Sequence, residues 1–226
     1  MPAGATKFGS EFLVNSITTN FQGNADVVGL TDGRFVAVWI DRSNGDTFDV
    51  RAQMFNADGT KAGAEFLINS TTTDNQSSPA VAALPDGGFV VAFVDNSAVN
   101  DDIRVRIFNA DGTPRGNDFI ATTLFPLESQ TAPDVTVLTN GNFIVTWNLL
   151  SPGNDVHAQI FDSNGQLIGG EISITASPGS ADQTPAIAAL AGGGFAIAWE
   201  VFLMTRRTSE FSSSMQPVIQ LVQPSK

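Results

Sequence analysis

Four glutamines are the most regularly spaced polar residues in the sequence. They lie 54, 54 and 53 residues apart and are Gln22, Gln76, Gln130 and Gln183. If a repeated fold brings them together, their amides form a ring that suits a neutral sugar or a water cluster. Repetition also favours a structural role, in which each amide satisfies buried polar groups between neighbouring units. We predict these four as ligand-binding residues, with the structural role as the alternative.

Acidic residues gather in the loop after the second predicted strand of each of the first two units. The candidate metal ligands there are Asp41, Asp46, Asp49, Asp95, Asp101 and Asp102. Calcium binds about six to eight hard oxygen ligands, so it is the one candidate cofactor. The spacing lacks an Asp-x-Asp-x-Asp-Gly ladder, however. Asp49 and Asp102 each precede an apolar strand residue, as a turn-forming Asp does, and turn formation is the alternative.

Residues for nucleophilic catalysis are scarce. The sequence has no cysteine and one histidine, His157, at a strand position where earlier units carry Arg51 and Arg104. It contains neither a Gly-x-Ser-x-Gly motif nor the Ser-x-Asp-x-Gly-x-Thr-Trp box typical of sialidases. Paired carboxylates for glycoside hydrolysis leave no motif, because their spacing is three-dimensional. We predict a non-enzymatic module, with a glycoside-processing enzyme or a pure spacer or assembly domain as alternatives.

These residues belong to a repeat of about 53 residues. A bulky aromatic residue recurs as Trp39, Phe93, Trp147 and Trp199. An acidic-apolar pair recurs as Glu11-Phe12, Glu65-Phe66, Asp118-Phe119 and Glu171-Ile172. A turn sequence recurs as Asp58-Gly59, Asp111-Gly112 and Asn164-Gly165. Because these markers keep one phase, the chain is a tandem repeat.

Each unit has the pattern of four strands. In the second unit, 80–84 and 89–94 are apolar, 103–108 alternates between apolar and basic residues, and 118–121 is short. Strands that become more polar along the unit are typical of a propeller blade, whose inner strands are buried and whose rim strand is not. The sequence therefore predicts an all-β fold, a β-propeller of four four-stranded blades.

The predicted propeller domain covers residues 1–200. Its units span about 7–60, 61–113, 114–166 and 167–200, and 201–226 is a divergent segment that is either the last strand of blade four or a tail. Residues 11–15 repeat the fourth strand before any first strand occurs. They would close the ring by completing the last blade, which removes exposed sheet edges. The alternative is a homodimer, an eight-bladed ring in which each N-terminal strand completes the partner's last blade.

The second repeat reads Gly-Ala-Glu-Phe-Leu-Ile-Asn at 63–69 and Phe-Asn-Ala-Asp-Gly-Thr at 108–113. It resembles the tandem propeller-type repeats of secreted bacterial RTX (haemolysin-type) calcium-binding proteins and adhesins. The resemblance implies export without a cleaved signal, an extracellular setting, calcium dependence and no enzymatic activity. The glycine-rich nonapeptide repeats of that class are missing here. The resemblance therefore assigns no calcium ligands to this sequence.

Composition and charge limit the partners. The net charge of −12 opposes nucleic-acid binding, which needs a basic surface. No apolar run reaches the ~18 residues of a membrane span, and the first seven residues lack the apolar core of a cleavable signal. We predict a lectin-like or adhesive binding module of a secreted bacterial protein, acting on a neutral saccharide or a protein. A cytoplasmic location is the alternative.

Overall fold

The computed structural model describes residues 9–43, 45–96, 100–124, 127–150, 154–175, 180–207 and 210–222. For 180–182, 202–207 and 210–218 it describes the backbone alone. The regular secondary structure in these ranges consists of β-strands, which form four antiparallel sheets. The prediction of an all-β fold is confirmed, and the number of sheets equals the predicted number of blades.

Within each sheet the strands lie side by side in chain order. Sheet 1 consists of β1 (Gln22–Gly29), β2 (Phe35–Asp41), β3 (Asp49–Phe55) and β4 (Phe66–Leu67). Sheet 2 consists of β5 (Gln76–Ala83), β6 (Phe89–Asp95), β7 (Asp102–Phe108) and β8 (Phe119–Ile120). Sheet 3 consists of β9 (Gln130–Val137), β10 (Phe143–Leu149), β11 (Asp155–Phe161) and β12 (Leu167–Ser173). Sheet 4 consists of β13 (Ser180–Ala189), β14 (Phe195–Arg207) and β15 (Glu210–Val222).

The hydrophobic core lies between successive sheets. The innermost strands β1, β5, β9 and β13 pack against one another in that order. Between sheets 1 and 2, Val36 and Val38 pack with Val91 and Phe93, and all four are fully buried. Similar clusters join sheet 2 to sheet 3 and sheet 3 to sheet 4. Side chains alternate across a strand, and every residue of the central strands β6 and β10 is buried, so these two strands are covered on both faces.

A β-bulge interrupts the pairing of every innermost strand with its neighbour. The residue at each bulge has a left-handed backbone although it is not glycine: Asn24 (φ 48°), Ser78 (φ 51°), Ala132 (φ 51°) and Thr184 (φ 49°). That conformation costs about 1–2 kcal/mol at a non-glycine residue. Bulges turn neighbouring side chains to new directions, and the residue two positions after the bulge is Asp26 in sheet 1 and Asp134 in sheet 3.

The acidic-apolar pair of each outer strand contacts both neighbouring units. Its carboxylate accepts backbone N–H groups of the preceding unit: Glu65 accepts that of Ser16, Asp118 that of Ser70, and Glu171 those of Thr123 and Leu124. Its aromatic ring contacts a turn glycine of the following sheet, as Phe119 of sheet 2 contacts Gly165 of sheet 3. That glycine has φ +83°, which a side chain rarely adopts. The recurring pair therefore holds adjacent units together.

The structure differs from the predicted ring closure. Residues 11–15 are not in a strand, and Phe12 instead packs on Phe55 of sheet 1 with ring centroids 5.5 Å apart. Within the described ranges sheet 4 has no fourth strand, and β1 and β13 do not pack along each other. Beyond β13, β14 and β15 continue as one long hairpin that pairs as far as Arg207 and Glu210. The four sheets therefore form an open arc.

Candidate functional site

Gln76, one of the predicted ligand-binding residues, lies in a hydrogen-bond network that joins sheet 1 to sheet 2. Its Nε2 donates to Asp95 Oδ1 and to the Thr73 carbonyl, at 2.9 Å each. Its Oε1 accepts from Asn69 Nδ2 at 3.1 Å, and Asn69 also donates to Asp49 Oδ1 at 2.8 Å. Gln76 is fully buried. The amide is therefore engaged within the protein, as the structural alternative requires.

The other three glutamines differ from one another. Gln22 accepts from Asn15 and donates to backbone carbonyls, whereas Gln130 is fully buried and donates to the Glu128 carbonyl at 2.6 Å. Gln183 is exposed, and it pairs with Glu200 at the register position that Ser77 occupies in sheet 2. The sequence spacing therefore placed the fourth glutamine one residue out of phase. Ligand binding by these glutamines stays a prediction.

The predicted metal ligands lie at the ends of the central strands, where Asp41 is opposite Asp49 and Asp95 is opposite Asp102. Asp41 Oδ2 is 3.0 Å from Arg51 Nε. Asp46 contacts Arg42, and Asp101 accepts a hydrogen bond from Asn96. Burial raises the pKa of Asp102, and Asp95 and Asp101 add to the rise against the opposing Arg104 charge.

No three His, Asp or Glu side chains in the described part of the chain are close enough to hold a metal ion. Calcium binding at the six aspartates stays a prediction. Among the described residues no helix is long and apolar enough to cross a membrane.

Two carboxylates that the sequence analysis missed lie on innermost strands. Asp26 on β1 accepts the N–H of Val27 through Oδ1 at 2.8 Å and that of Val81 on β5 through Oδ2 at 2.9 Å. In the same way Asp134 on β9 accepts the N–H of Val135 at 2.8 Å and that of Ile187 on β13 at 2.7 Å. Each carboxylate thus bridges two sheets, and each is only partly buried.

The electrostatic environment of Asp134 favours its protonated form. Burial raises its pKa, the two backbone N–H groups oppose that rise, and the charge of Asp26 adds to it. Both carboxylates therefore stand on innermost strands of the arc, and the charge of Asp26 reaches Asp134. Asp26 follows Gln22 by four residues, and Asp134 follows Gln130 by four residues. The equivalent residues of the other two units are Ala80 and Ala186. The carboxylate occurs in the first and third units only, so a search for residues that recur in all four units does not find it.

The sole histidine forms a buried ion-pair geometry. His157 Nδ1 is 2.9 Å from Glu171 Oε1, and the two side chains are 4% and 1% exposed. Burial opposes ionisation of Glu171, but the hydrogen bond from His157 and those from Leu124 and Thr123 outweigh it and lower its pKa. His157 also stacks on Trp147 with ring centroids 6.2 Å apart. These contacts tie His157 to the sheet 2–sheet 3 junction.

Two cavities flank the sheets. One of about 250 Å³ lies against sheet 1 and is lined by Asn15, Gln22 and Trp39, whose Nε1 makes no hydrogen bond to any described residue. A second, of about 630 Å³, lies between sheets 3 and 4 and is lined by apolar groups that include Ile172 and Phe195. At the sheet 2–sheet 3 junction the aromatic ring of Phe119 contacts the turn glycine Gly165. The residue of sheet 3 equivalent to Phe119 is Ile172, which lines this cavity.

Neither a protein-family model nor a curated protein matches the sequence. The resemblance to RTX repeats therefore stays a prediction.

Solved structures do match the fold. An endo-arabinase from Bacteroides thetaiotaomicron aligns over 89% of this chain and 75% of its own, with 12% identity and a TM-score of 0.56. A Hadza microbial sialidase aligns over 87% of this chain and 44% of its own, with 12% identity and a TM-score of 0.59. An α-L-arabinanase from Penicillium chrysogenum, complexed with arabinobiose, aligns over 80% and 52%, with 16% identity and a TM-score of 0.53. At these identities the likeness shows a shared β-propeller type of fold.

The predictions that the protein is no enzyme and serves as a non-catalytic binding or structural module are wrong. The similar structures are glycoside hydrolases, and they favour the glycoside-processing alternative. No sequence motif links Asp26 and Asp134, because they lie 108 residues apart, on β1 and β9, and both of these strands pack on β5.

Proposed function

We propose that this protein hydrolyses glycosides, with Asp26 and Asp134 as the two carboxylates of the reaction. The observation that carries the proposal is the pair itself. Two partly exposed carboxylates stand at equivalent positions after the bulges of innermost strands, and the charge of Asp26 contributes to the raised pKa of Asp134. Glycoside hydrolysis commonly uses two such groups, one of which must hold a proton while the other is ionised. The likeness to glycoside hydrolases supports the same conclusion.

The raised pKa of Asp134 suits the role of general acid. Burial and the charge of Asp26 both favour the neutral carboxyl, which can protonate the oxygen of the leaving group. Asp26 then supplies the carboxylate that stabilises the developing positive charge on the sugar or activates the attacking nucleophile. The hydrogen bonds from Val81 and Ile187 hold the two groups in place as the reaction proceeds.

We infer a neutral oligosaccharide as the substrate. The net charge of −12 and two central carboxylates repel anionic sugars. Among the similar proteins, the Penicillium chrysogenum arabinanase is complexed with arabinobiose, and the first match is an endo-arabinase. Arabinan oligosaccharides are therefore the first substrates to test, with xylan and sialosides beside them.

The decisive experiment compares Asp134→Asn and Asp26→Asn with the wild type for release of reducing sugar from these glycans. Each substitution removes one of the two reacting carboxylates. We expect kcat to fall by about 10²-fold to 10⁴-fold in each variant. The wild-type rate should also decline as pH rises through the pKa of Asp134, because the general acid must be protonated.

Asp162→Asn is the matched control. Asp162 also accepts two backbone N–H groups, those of Asn164 and Gln166, but it lies in a turn at the end of sheet 3. Its substitution should leave kcat unchanged. Full activity in Asp134→Asn and Asp26→Asn, with folding verified by circular dichroism, would contradict the proposal, as would the absence of hydrolysis of every glycan by the wild type.

A further inference from the structure

We propose that two copies of this chain associate end to end, so that sheet 4 of each copy packs on sheet 1 of the other. This inference does not depend on the proposed catalytic function. It rests on two sheet faces, one at each end of the arc, that no described part of the chain covers with another sheet.

The open face of sheet 4 points away from sheet 3. Phe195, Ile197 and Trp199 of β14 pack on sheet 3, so the alternate residues of that strand lie on the opposite face. That face carries the apolar residues Ala186, Ala188, Ala196, Ala198, Ile219 and Leu221, with the exposed Glu200 at one end. Ile219 is 71% exposed and Leu221 is 65% exposed. Sheets 1, 2 and 3 bury the equivalent face against the next sheet.

The open face of sheet 1 points away from sheet 2. Val36, Val38 and Ile40 pack on sheet 2, so Phe35, Ala37 and Trp39 lie on the other side. In the described part of the chain no other sheet packs on that side, although Ala37 and Trp39 are only 5% and 3% exposed. Val27, which is opposite Ala37, is 61% exposed. The cavity of about 250 Å³ lies on this side, next to Trp39. In sheet 2 the equivalent residues are Phe89, Val91 and Phe93, which pack on sheet 1. The two open faces are therefore the two halves of an interface that the chain already contains three times.

The strand count of the two ends is complementary. Sheet 4 has three strands, whereas residues 11–15 of the N-terminal segment carry the sequence of a fourth strand and lie beside sheet 1. This segment contacts sheet 1 as an outer strand of a preceding sheet does. Phe12 lies against Gly59 as Phe119 lies against Gly165, and Asn15 bonds Gln22 as Asn69 bonds Gln76. A sheet 4 that packs on sheet 1 therefore lies beside the strand that it lacks.

Hydrogen bonding at the innermost strands fits the same junction. Sheet 2 carries Ala80 at this position, which cannot accept the backbone N–H group of the next sheet. Sheet 3 supplies the acceptor itself, since Val135 N–H donates to Asp134. Sheet 4 carries Ala186, so a following sheet must also satisfy its own N–H. Sheet 1 does, because Val27 donates to Asp26 at 2.8 Å. The sheet 4–sheet 1 junction thus matches the existing sheet 2–sheet 3 junction.

A second copy is the occupant that these faces favour. Within one chain they lie at opposite ends of the arc, and β1 and β13 do not pack along each other. Two arcs related by a twofold axis close both junctions at once and leave no open face. The dimer would contain eight sheets in one ring.

Engineered cysteines test this arrangement, because the chain has no cysteine of its own. Asp26 and Val81 face each other across an established junction, and the equivalent positions of the proposed junction are Ala186 and Val27. Val27→Cys and Ala186→Cys are made in separate chains, which are mixed and oxidised. We expect a disulfide-linked dimer on a non-reducing gel. A mixture of Val27→Cys with Leu127→Cys is the control, since Leu127 is 80% exposed in a loop and should not be cross-linked.

The mass in solution gives an independent readout. Light scattering after size exclusion should give about twice the chain mass of 23.8 kDa. Leu221→Lys should reduce it to one chain mass, and Leu127→Lys should not. A wild type that stays at one chain mass at micromolar concentration would overturn the proposal. A disulfide that forms only within single chains carrying both cysteines would overturn it in favour of intramolecular closure.

Discussion

At the scale of single residues, one acidic position does most to join the units. Asp118 bonds Arg104 and Glu171 bonds His157 on the adjacent strand of the same sheet, and both acidic residues also accept backbone N–H groups of the preceding unit. The recurring acidic residue is a marker of the repeat in the sequence. Its role could not be predicted there, because the N–H groups that Glu171 accepts belong to residues 47 and 48 positions earlier. Periodicity shows that a position is constrained but not which distant group constrains it.

Substitution of Glu171 by Gln should destabilise the fold. The change keeps the shape of the side chain but removes the charge that pairs with His157 in a buried site. We expect a loss of about 2 kcal/mol in the free energy of unfolding, and a thermal midpoint lower by about 4–8 °C. Circular dichroism melting gives both values. Glu200→Gln, at an exposed residue, serves as the control, and an equal midpoint in the two variants would argue against this role of Glu171.

At the scale of the elements, turns were more predictable than bulges. The Asp-Gly and Asn-Gly turns follow directly from residue preferences, and Gly59, Gly112 and Gly165 all have positive φ. Residue preference does not predict the left-handed backbone of Ala132 or Thr184, since neither is a glycine or an asparagine. The bulges set the direction of the Asp26 and Asp134 side chains. Because the bulges could not be predicted from the sequence, the candidate site could not be predicted either.

The contact between outer strand and turn predicts a sensitive glycine. A Cβ on Gly165 would lie 2.8 Å from ring atoms of Phe119, at a φ of +83°. Gly165→Ala should therefore lower the free energy of unfolding by about 2 kcal/mol, measured by urea denaturation. Gly170→Ala is the matched control, because no heavy atom lies within 4 Å of its added Cβ. That variant should stay within about 0.5 kcal/mol of the wild type. A Gly165→Ala protein as stable as the control would refute the close contact.

At the scale of the whole molecule, the number and order of the sheets were predictable and the closure was not. Four recurring markers specify four units in sequence. Closure depends on the sum of the rotations between successive sheets and on what packs on the outer face of sheet 4. Neither is determined by the sequence of one repeat unit. β14 pairs with β13 as far as Leu203 and continues to Arg207 beside β15 alone. This extension could not be predicted, because its sequence departs from the repeat.

Stability of the whole chain should fall in acid. Burial opposes ionisation of Asp118 and Glu171, but hydrogen bonds and adjacent cations outweigh it and hold both pKa values below the ordinary range. In the unfolded chain the values return to about 4. Their stabilisation is therefore complete above the unfolded pKa and is lost as pH falls through the folded pKa values. Urea unfolding from pH 7 to pH 3 should show this loss, with a shallower slope for Glu171→Gln; identical slopes would contradict it.

The alternation of Asp26, Ala80, Asp134 and Ala186 has a consequence for how such a chain changes length in evolution. Removal of the second unit alone would place the carboxylates of Asp26 and Asp134 at the single N–H of Val135. Removal of the third unit alone would leave the N–H of Ile187 without an acceptor, since Ala80 would precede it. Only pairs of units can be duplicated or deleted without loss. The heritable module of this fold is thus two sheets, and related chains should differ by even numbers of repeats.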